Sequence, residues 1–236
     1  MIPQTEFDRL LAQAGLAGYS HLYPALEQYC TLLLDWNTRM NLTAIRDPRE
    51  VAVKHFIDSL LPLTQVELPQ GASLIDVGTG AGFPGLPMKL ARPDLDLTLL
   101  DSLAKRLTFL EEVCTRLGVE ARRVHLRAEE AGRSPDFRER FDLATSRAVA
   151  NLASLAEYCL PLVKVGGSLL ALKGSSGHQE AEEAAHAVAL CGGQITQVLD
   201  ATLPGGDART LVVIQKISQT PTAYPRAATK IAKKPL

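Results

Sequence analysis

The sequence predicts an α/β protein whose mainly parallel sheet follows a helical segment. From about Leu68 onward, short apolar runs rich in Leu, Ile and Val alternate with amphipathic stretches, a pattern typical of β/α units on a parallel sheet. Upstream, apolar residues recur at helical spacing. A glycine-rich stretch follows the first apolar run, where doubly wound, Rossmann-like folds turn from strand into helix. These observations divide the chain into a helical annex over 1–66, an α/β core over 67–218 and a tail over 219–236.

Length and composition indicate an ordinary globular chain. Hydrophobic residues make up 46% and charged residues 22% of the 236 residues, which excludes wholesale disorder and fibrous repeats. No apolar run approaches the roughly 20 residues that cross a bilayer, and the N-terminus carries no secretory signal. The four cysteines lie far apart with no CxxC pair. This spacing indicates reduced, buried thiols in the cytoplasm and predicts no metal, and the lack of a spanning run predicts no membrane partner.

Charge is distributed unevenly along the chain. The formal net charge is −1, and because four basic residues and no acid follow Ser218, the first 218 residues carry −5. The whole-chain balance therefore does not by itself indicate a nucleic-acid partner. The tail over 219–236 combines three prolines, small polar residues and basic side chains, and we expect it to be mobile.

The annex contains two helical signals. An apolar stripe with alternating spacings of three and four lines one helix face and is expected to pack in the core; it consists of Leu26, Tyr29, Leu33, Trp36 and Met40. Asp47, Pro48 and Glu50 then occupy the N-cap, first and third positions of a second helix, where a side-chain oxygen and a back-reaching carboxylate can satisfy free amides. That helix is expected to run through His55 towards Pro62.

The core contains the apolar runs of a seven-stranded sheet. Strands are expected near 73–77, 96–100, 122–126, 141–145, 167–172, 194–199 and 209–216. Helices are expected near 84–91, 103–117, 151–162 and 179–190. Because a Pro-Gly-Gly turn separates the last two strands, they are expected to form an antiparallel hairpin.

The stretch LIDVGTGAGFPG predicts a nucleotide-like ligand. Asp76 ends the first strand, and Gly78, Gly80 and Gly82 let the backbone turn sharply and approach a ligand closely. Asp101, at the end of the second strand, lies at the right distance to accept from a ribose hydroxyl pair. Both an S-adenosylmethionine site and a dinucleotide site fit this pattern, because Gly80, Gly82 and Gly85 also have GxGxxG spacing.

Charge favours the methyl donor over the dinucleotide. A carboxylate at Asp76 would repel a pyrophosphate, whereas S-adenosylmethionine carries a sulfonium and an ammonium against one carboxylate. After the third strand, Ala128 and Glu129 would border the adenine, and Glu129 could accept from its amine. A solvated glutamate at a helix start is the competing interpretation.

The end of the fourth strand bears on the methyl acceptor. Amino-group methyltransferases of nucleic acids commonly carry an Asn-or-Asp, Pro, Pro, aromatic tetrapeptide there, and cytosine-carbon enzymes a Pro-Cys nucleophile; the chain has neither. Guanine N7 presents a lone pair and needs only in-line positioning, so no general base is assigned. Arg147 in this position would orient the guanine edge, an RNA phosphate or the donor carboxylate.

Basic residues could form a rim around the strand ends that contacts RNA phosphates. His55 and Asp58, one helical turn apart, could project together towards the mouth of the predicted cofactor site, although a structural histidine is the alternative. The candidates for RNA binding are His55, Lys105, Arg106, Arg127 and Lys173.

Over about residues 25–217 the chain resembles the RsmG (GidB) family of bacterial ribosomal RNA small-subunit methyltransferases. The resemblance rests on WNTRMNLT, RDPREV, HFIDSL, DVGTGAGFPGLPMKLARPDLDLTLLDSLAKRLTFLEEV, SRAVANL, ALKG and RTLVVIQK, in that order. It implies a class I S-adenosylmethionine-dependent methyltransferase with a seven-stranded, mostly parallel sheet and a helical N-terminal annex. The resemblance also implies N7-methylation of one guanine of 16S ribosomal RNA in the small subunit, in the cytoplasm.

Matching motif positions imply that the donor is contacted by Gly78, Phe83, Ala128, Glu129 and Arg147. A monomer is the expected state. On the residues alone, three alternatives stay open: a dinucleotide-dependent oxidoreductase, a non-catalytic RNA-binding protein, and a methyltransferase with a protein or small-molecule acceptor.

Overall fold

The computed structural model describes residues 1–236. The annex begins with helical elements on one side of the sheet. They are α1 (Gln4–Gln13), a 3₁₀ helix (Ala17–Leu22), α2 (Tyr23–Trp36), α3 (Pro48–Val51), a π-helical turn (Ala52–Ile57), α4 (Asp58–Leu60) and α5 (Pro62–Gln65). Leu26, Tyr29 and Leu33 of the apolar stripe are fully buried as expected, whereas α2 ends at Trp36 and Met40 lies beyond the helix. These three side chains belong to the same apolar core as Leu74 and Leu97 of the sheet, so annex and sheet share one core.

The second annex helix begins at the expected residue. The Asp47 carboxylate accepts from the backbone amides of Arg49 and Glu50, each at 2.9 Å, which confirms the predicted N-cap. The Glu50 carboxylate does not reach back to the cap, because it pairs with Lys54 at 2.8 Å one turn later.

Seven strands form one sheet, and the predicted α/β class and seven-stranded, mostly parallel sheet are confirmed. They are β1 (Ser73–Val77), β2 (Asp96–Asp101), β3 (Arg122–His125), β4 (Phe141–Arg147), β5 (Val163–Lys173), β6 (Gly193–Thr202) and β7 (Ala208–Lys216). Their order is β3-β2-β1-β4-β5-β7-β6. The first five strands pair in parallel, and β7 is antiparallel to both β5 and β6, so the expected closing hairpin is present.

The helices of the core cover both faces of this sheet. They are α6 (Gly85–Ala91), α7 (Ala104–Leu117), α8 (Ala128–Ala131), α9 (Leu152–Cys159), a 3₁₀ helix (Leu160–Leu162), α10 (Gly177–Leu190) and, in the tail, α11 (Ala228–Lys233). No helix is long and apolar enough to serve as a transmembrane span. The four cysteines are buried and free.

The tail over 219–236 differs from the expectation of a mobile segment. Ile231 of α11 is fully buried, and Thr220 is 4% exposed. The Arg226 guanidinium forms an ion pair with the fully buried Glu157 carboxylate of α9, at 2.7 Å. The composition of the tail does not show its anchors, because the groups that hold it lie some 70 to 90 residues earlier in the chain.

Candidate active site

A cavity of about 1280 Å³ opens at the carboxyl ends of the parallel strands. Val77 of β1, Asp101 of β2, Arg147 of β4 and Lys173 of β5 lie at these ends and line it. The strand order reverses direction between β1 and β4, which is where open α/β sheets form a binding crevice. The volume exceeds that of a typical drug-sized pocket, so it has room for a nucleoside donor and part of an acceptor.

Two of the predicted glycines form the floor of this cavity. Gly78 and Gly80 have φ of +70° and +60°, a conformation that other residues rarely adopt. At Gly80 an added Cβ would meet nothing closer than the Gly78 carbonyl at 3.9 Å, so the backbone faces open space. A ligand can therefore approach the main chain directly at Gly80.

Gly82 does not line the cavity. Its φ is +95°, and a Cβ there would collide with the Tyr29 hydroxyl and with Leu86 and Leu110. The Tyr29 hydroxyl also donates to the Ala81 carbonyl. Gly82 therefore allows the annex to pack against the glycine loop, which positions the loop without contacting a ligand.

Asp76 is also placed behind the loop rather than on the cavity wall. It is fully buried, and its Oδ2 accepts from Thr79 Oγ1 at 2.6 Å and from the Gly85 amide at 3.0 Å. Its Oδ1 has no hydrogen-bond partner. Burial raises the pKa of Asp76 to about 6. The carboxyl connects the end of β1 to the start of α6. The expectation from the sequence that its charge faces a bound nucleotide is therefore wrong.

Asp101 does face the cavity and is held in place. It is 3% exposed, its Oδ2 accepts from the Gly80 amide and its Oδ1 accepts from the Leu103 amide, each at 2.9 Å. Arg106 Nη1 lies 3.3 Å from Oδ2. Because a carboxylate offers about four acceptor sites and three are used, Asp101 retains capacity for one ligand hydroxyl.

Phe83 lies at the centre of an aromatic stack between the annex and the glycine loop. Its ring is stacked with those of His55, at 4.6 Å between centroids, and Tyr29, at 5.3 Å. The guanidinium of Arg147 lies 5.2 Å from the Phe83 centroid. This cation–π contact and the stack fix the side of the cavity where β4 ends.

His55 is held as a neutral imidazole. Its Nε2 lies 2.8 Å from Thr43 Oγ1, and its Nδ1 lies 3.3 Å from Arg147 Nη2. The guanidinium can only donate, so Nδ1 accepts and the proton is assigned to Nε2. Burial and then the Arg147 charge lower the pKa of His55 to about 3. Both ring nitrogens are occupied, so His55 supports Arg147 and is not available to RNA as the sequence suggested.

The buried imidazole makes stability sensitive to acid. An unfolded histidine has a pKa of about 6.5, so between pH 6.5 and 3 the unfolded chain binds a proton that folded His55 does not. Stability therefore falls as the pH falls through this window. Between pH 7 and pH 5, His55 should lower the free energy of unfolding of the wild type by about 2 kcal/mol. We expect His55→Gln to lack this contribution when urea unfolding is measured at both pH values.

Exposed His186 supplies the matched control. His186→Gln should follow the wild-type profile, and the raised pKa of Asp76, which acts in the opposite direction, is common to all three proteins and cancels in the comparison. If the His55→Gln and wild-type profiles were parallel, the neutral assignment would be wrong.

Asp58 joins two arginines at the cavity wall. Its Oδ2 accepts from Arg147 Nη1 at 2.7 Å and its Oδ1 from Arg209 Nε at 2.9 Å, and its side chain is 5% exposed. The Lys54 carbonyl also accepts from Arg147 Nη1, at 3.0 Å. Arg209 was not identified from the sequence. It is the second residue of β7, whose antiparallel pairing to β5 places the neighbouring Thr210 opposite Lys173 at the cavity. The predicted hairpin was therefore the sequence signal that could have identified Arg209.

At the opposite end of the cavity, Ala128 and Glu129 lie together as expected. Glu129 is 13% exposed, and its Oε1 accepts from Arg127 Nε at 2.9 Å. Tyr158 of α9 and Ala232 of α11 line the same end. Neither residue could be predicted from the sequence, because nothing in it places the tail against the core.

The remaining basic candidates differ in their surroundings. Lys173 is 8% exposed, donates to the Ala150 carbonyl at 2.7 Å and pairs with Glu180 at 2.8 Å. Its ammonium is thus bound by groups of the protein and does not project towards RNA as expected. Arg106 and Arg127 line the cavity with 34% and 58% exposed side chains. Lys105 is exposed but does not line the cavity.

Comparisons with known proteins identify relatives of the whole chain. The family model described as rRNA small subunit methyltransferase G (GidB) matches residues 22–209. A protein from Desulforamulus reducens named ribosomal RNA small subunit methyltransferase G is 49% identical to this chain, over 90% of this chain and 89% of the relative. The same name is carried by a Lactobacillus johnsonii relative, at 50% identity over 98% of both chains. Among solved structures, geranyl diphosphate C-methyltransferase from Streptomyces coelicolor, in complex with S-adenosyl-L-homocysteine, has a TM-score of 0.53 at 12% identity, covering 67% of this chain and 78% of that one.

Proposed function

The chain belongs to the rRNA small subunit methyltransferase G family, and from this premise we propose that it transfers the methyl group of S-adenosylmethionine to N7 of a guanine in 16S ribosomal RNA. The observation that carries the proposal is a cavity with a glycine floor, Asp101 on one wall and the Asp58–Arg147–Arg209 cluster on another.

The residues present fit the methyl donor. Open backbone at Gly80 leaves room for a nucleoside against the main chain. We assign Asp101 to the ribose hydroxyls, since its carboxylate lines the cavity beside that backbone, and Glu129 to the adenine amine. When bound, the donor would supply a methyl group on a sulfonium, and a purine nitrogen with a free lone pair can take it without losing a proton.

No residue of the cavity has to act as a base for this chemistry. The imidazole of His55 makes contacts through both nitrogens. Correct placement of donor and acceptor alone can supply roughly 7–11 kcal/mol of barrier reduction. We therefore give Arg147 an orienting role, with its guanidinium donating to the O6 edge of the guanine, and assign no metal ion to the reaction.

The setting of the reaction follows from the same premise. The relatives carry the name of a ribosomal RNA enzyme, so we propose that the substrate is 16S ribosomal RNA or the small subunit, in the cytoplasm. We also propose a monomer as the working form.

Transfer of labelled methyl groups tests the proposal. Small subunits from a strain that lacks the enzyme should accept label from S-adenosylmethionine, and mapping should find it at N7 of one guanine. Subunits from a strain that has the enzyme are the matched control, since their site is already methylated. Label at another atom, or none in the deficient subunits, would reject the proposal.

A further inference from the structure

The tail over 219–236 is built onto the core through three independent anchors. Arg138 donates to the carbonyls of Thr220 at 2.6 Å and Tyr224 at 2.9 Å. The Glu139 carboxylate accepts from the Thr220 amide at 2.8 Å and from the fully buried ammonium of Lys216 at 3.0 Å. These contacts fix the path of the chain as it leaves β7.

The third anchor fixes α11. The Glu157 carboxylate, fully buried, accepts from both the backbone amide and the guanidinium of Arg226, at 2.6 and 2.7 Å. Arg226 also donates to the Lys234 carbonyl at 3.0 Å, which holds the far end of the helix. Ile231 between these points is fully buried. A buried carboxylate with a dedicated arginine indicates a defined position for this segment.

The anchored helix meets the cavity at its nucleoside end. Ala232 lines the cavity together with Tyr158, Glu129 and Arg127. On either side of Ala232 lie Lys230, Lys233 and Lys234, which are exposed and enter none of the chain's ion pairs, in contrast to Arg226.

Charge identifies the partner of this surface. The first 218 residues carry −5, so the field of the rest of the chain repels a polyanion, and binding requires local clusters of cations that offset it. The three lysines of the tail are such a cluster, and exposed Arg127 lines the same cavity as Ala232, which lies among them in the sequence.

Resting on the proposed function, we propose that the docked tail is part of the substrate-binding surface, on which Lys230, Lys233 and Lys234 bind phosphates of the ribosomal RNA segment whose guanine enters the cavity. Docking of α11 fixes the position of these ammonium groups relative to the donor. The surface reads the RNA backbone and carries no base specificity.

Salt dependence of binding to small subunits from the enzyme-deficient strain tests the charges. In the full chain, the triple replacement K230Q/K233Q/K234Q should weaken binding roughly 10- to 100-fold near 0.1 M salt and reduce the slope of log K against log salt by about 2. Calorimetric affinity for S-adenosylmethionine without RNA should stay within a factor of about 3.

A control of equal charge change uses the opposite edge of the sheet. Arg116 lies in the last turn of α7, Arg140 precedes β4 and Lys164 is the second residue of β5. None of them lines the cavity, so R116Q/R140Q/K164Q removes three cations away from it. If both triple variants gave the same slope, the tail surface would be overturned. Absence of methyl transfer by the wild type would instead overturn the proposed function, and the binding comparison would still report on the tail.

A second variant separates a docked surface from a merely charged tail. Ile231→Ser keeps every lysine but removes the apolar anchor of α11. We expect RNA affinity close to that of the lysine variant, with far-ultraviolet circular dichroism verifying the rest of the fold. Wild-type affinity and slope in Ile231→Ser would show that docking is irrelevant and would overturn the inference.

Discussion

Asp101→Ala is expected to lower the affinity for S-adenosylmethionine about 100-fold. A hydrogen bond to a charged group contributes about 1.5–3 kcal/mol, and a ribose hydroxyl would donate one to the acceptor site that Gly80, Leu103 and Arg106 leave free on this carboxylate. The replacement also removes the acceptor of the Gly80 amide, so the open floor of the cavity loses its support. Isothermal titration calorimetry with the purified protein measures the change.

Asp96 provides the matched control for this result. It begins β2, the strand that Asp101 ends, and it is exposed at the opposite edge of the sheet. Asp96→Ala should bind the donor as the wild type does, and both variants should keep the wild-type circular dichroism spectrum. An Asp101→Ala protein that binds within about threefold of the wild type would remove the ribose assignment.

The sheet could be predicted because its information is local. The central strands β1, β2 and β4 are mostly apolar and buried, as burial on both faces of a parallel sheet requires. The start of β5 was placed late, since Val163–Gly166 reads as a turn, whereas Val163 pairs with Phe141 across an irregular register. The π-helical turn over Ala52–Ile57 has no comparable pattern in the sequence.

The site could be predicted only where a residue's role follows from its place at a strand end. Asp101 and Gly80 line one cavity as expected, because β1 and β2 are parallel neighbours whose carboxyl ends lie side by side. Asp76 also lies at a strand end, but its side chain points behind the loop to Thr79. Successive side chains of a strand point to opposite faces of the sheet, and the glycine loop after Asp76 has no side-chain pattern that shows which face Asp76 takes.

Contacts between distant segments were out of reach of the sequence. Lys173 has the position of a substrate-binding residue, yet Glu180 and the Ala150 carbonyl satisfy it. The tail has the composition of a mobile segment, yet Glu157 and Arg226 attach it to α9. In each case the decisive partner is a residue that composition and spacing do not connect.

The charge cluster at the cavity wall gives the largest expected effect on stability. Asp58→Asn keeps the shape of the side chain but leaves Arg147 and Arg209 without their shared carboxylate in a site where Asp58 is 5% exposed. Breaking a buried pair from one side costs about 3–5 kcal/mol, because the remaining charge stays desolvated. Urea unfolding at pH 7 should show a loss of that size, and the protein should stay folded at 25 °C since domains commonly have 5–15 kcal/mol of stability.

An exposed pair on the annex calibrates this loss. Asp35 pairs with Arg39, and both side chains are more than half exposed, so Asp35→Asn should cost less than about 1 kcal/mol. Adding Arg209→Met to Asp58→Asn should recover part of the stability, because one of the two uncompensated guanidiniums is then gone. Methyl transfer should be lower than that of the wild type in both Asp58→Asn and the double variant, since in each Arg147 has lost the carboxylate that orients it. Equal losses in Asp58→Asn and Asp35→Asn would mean that the cluster is solvated and that Arg147 takes its position from Phe83 and the Lys54 carbonyl alone.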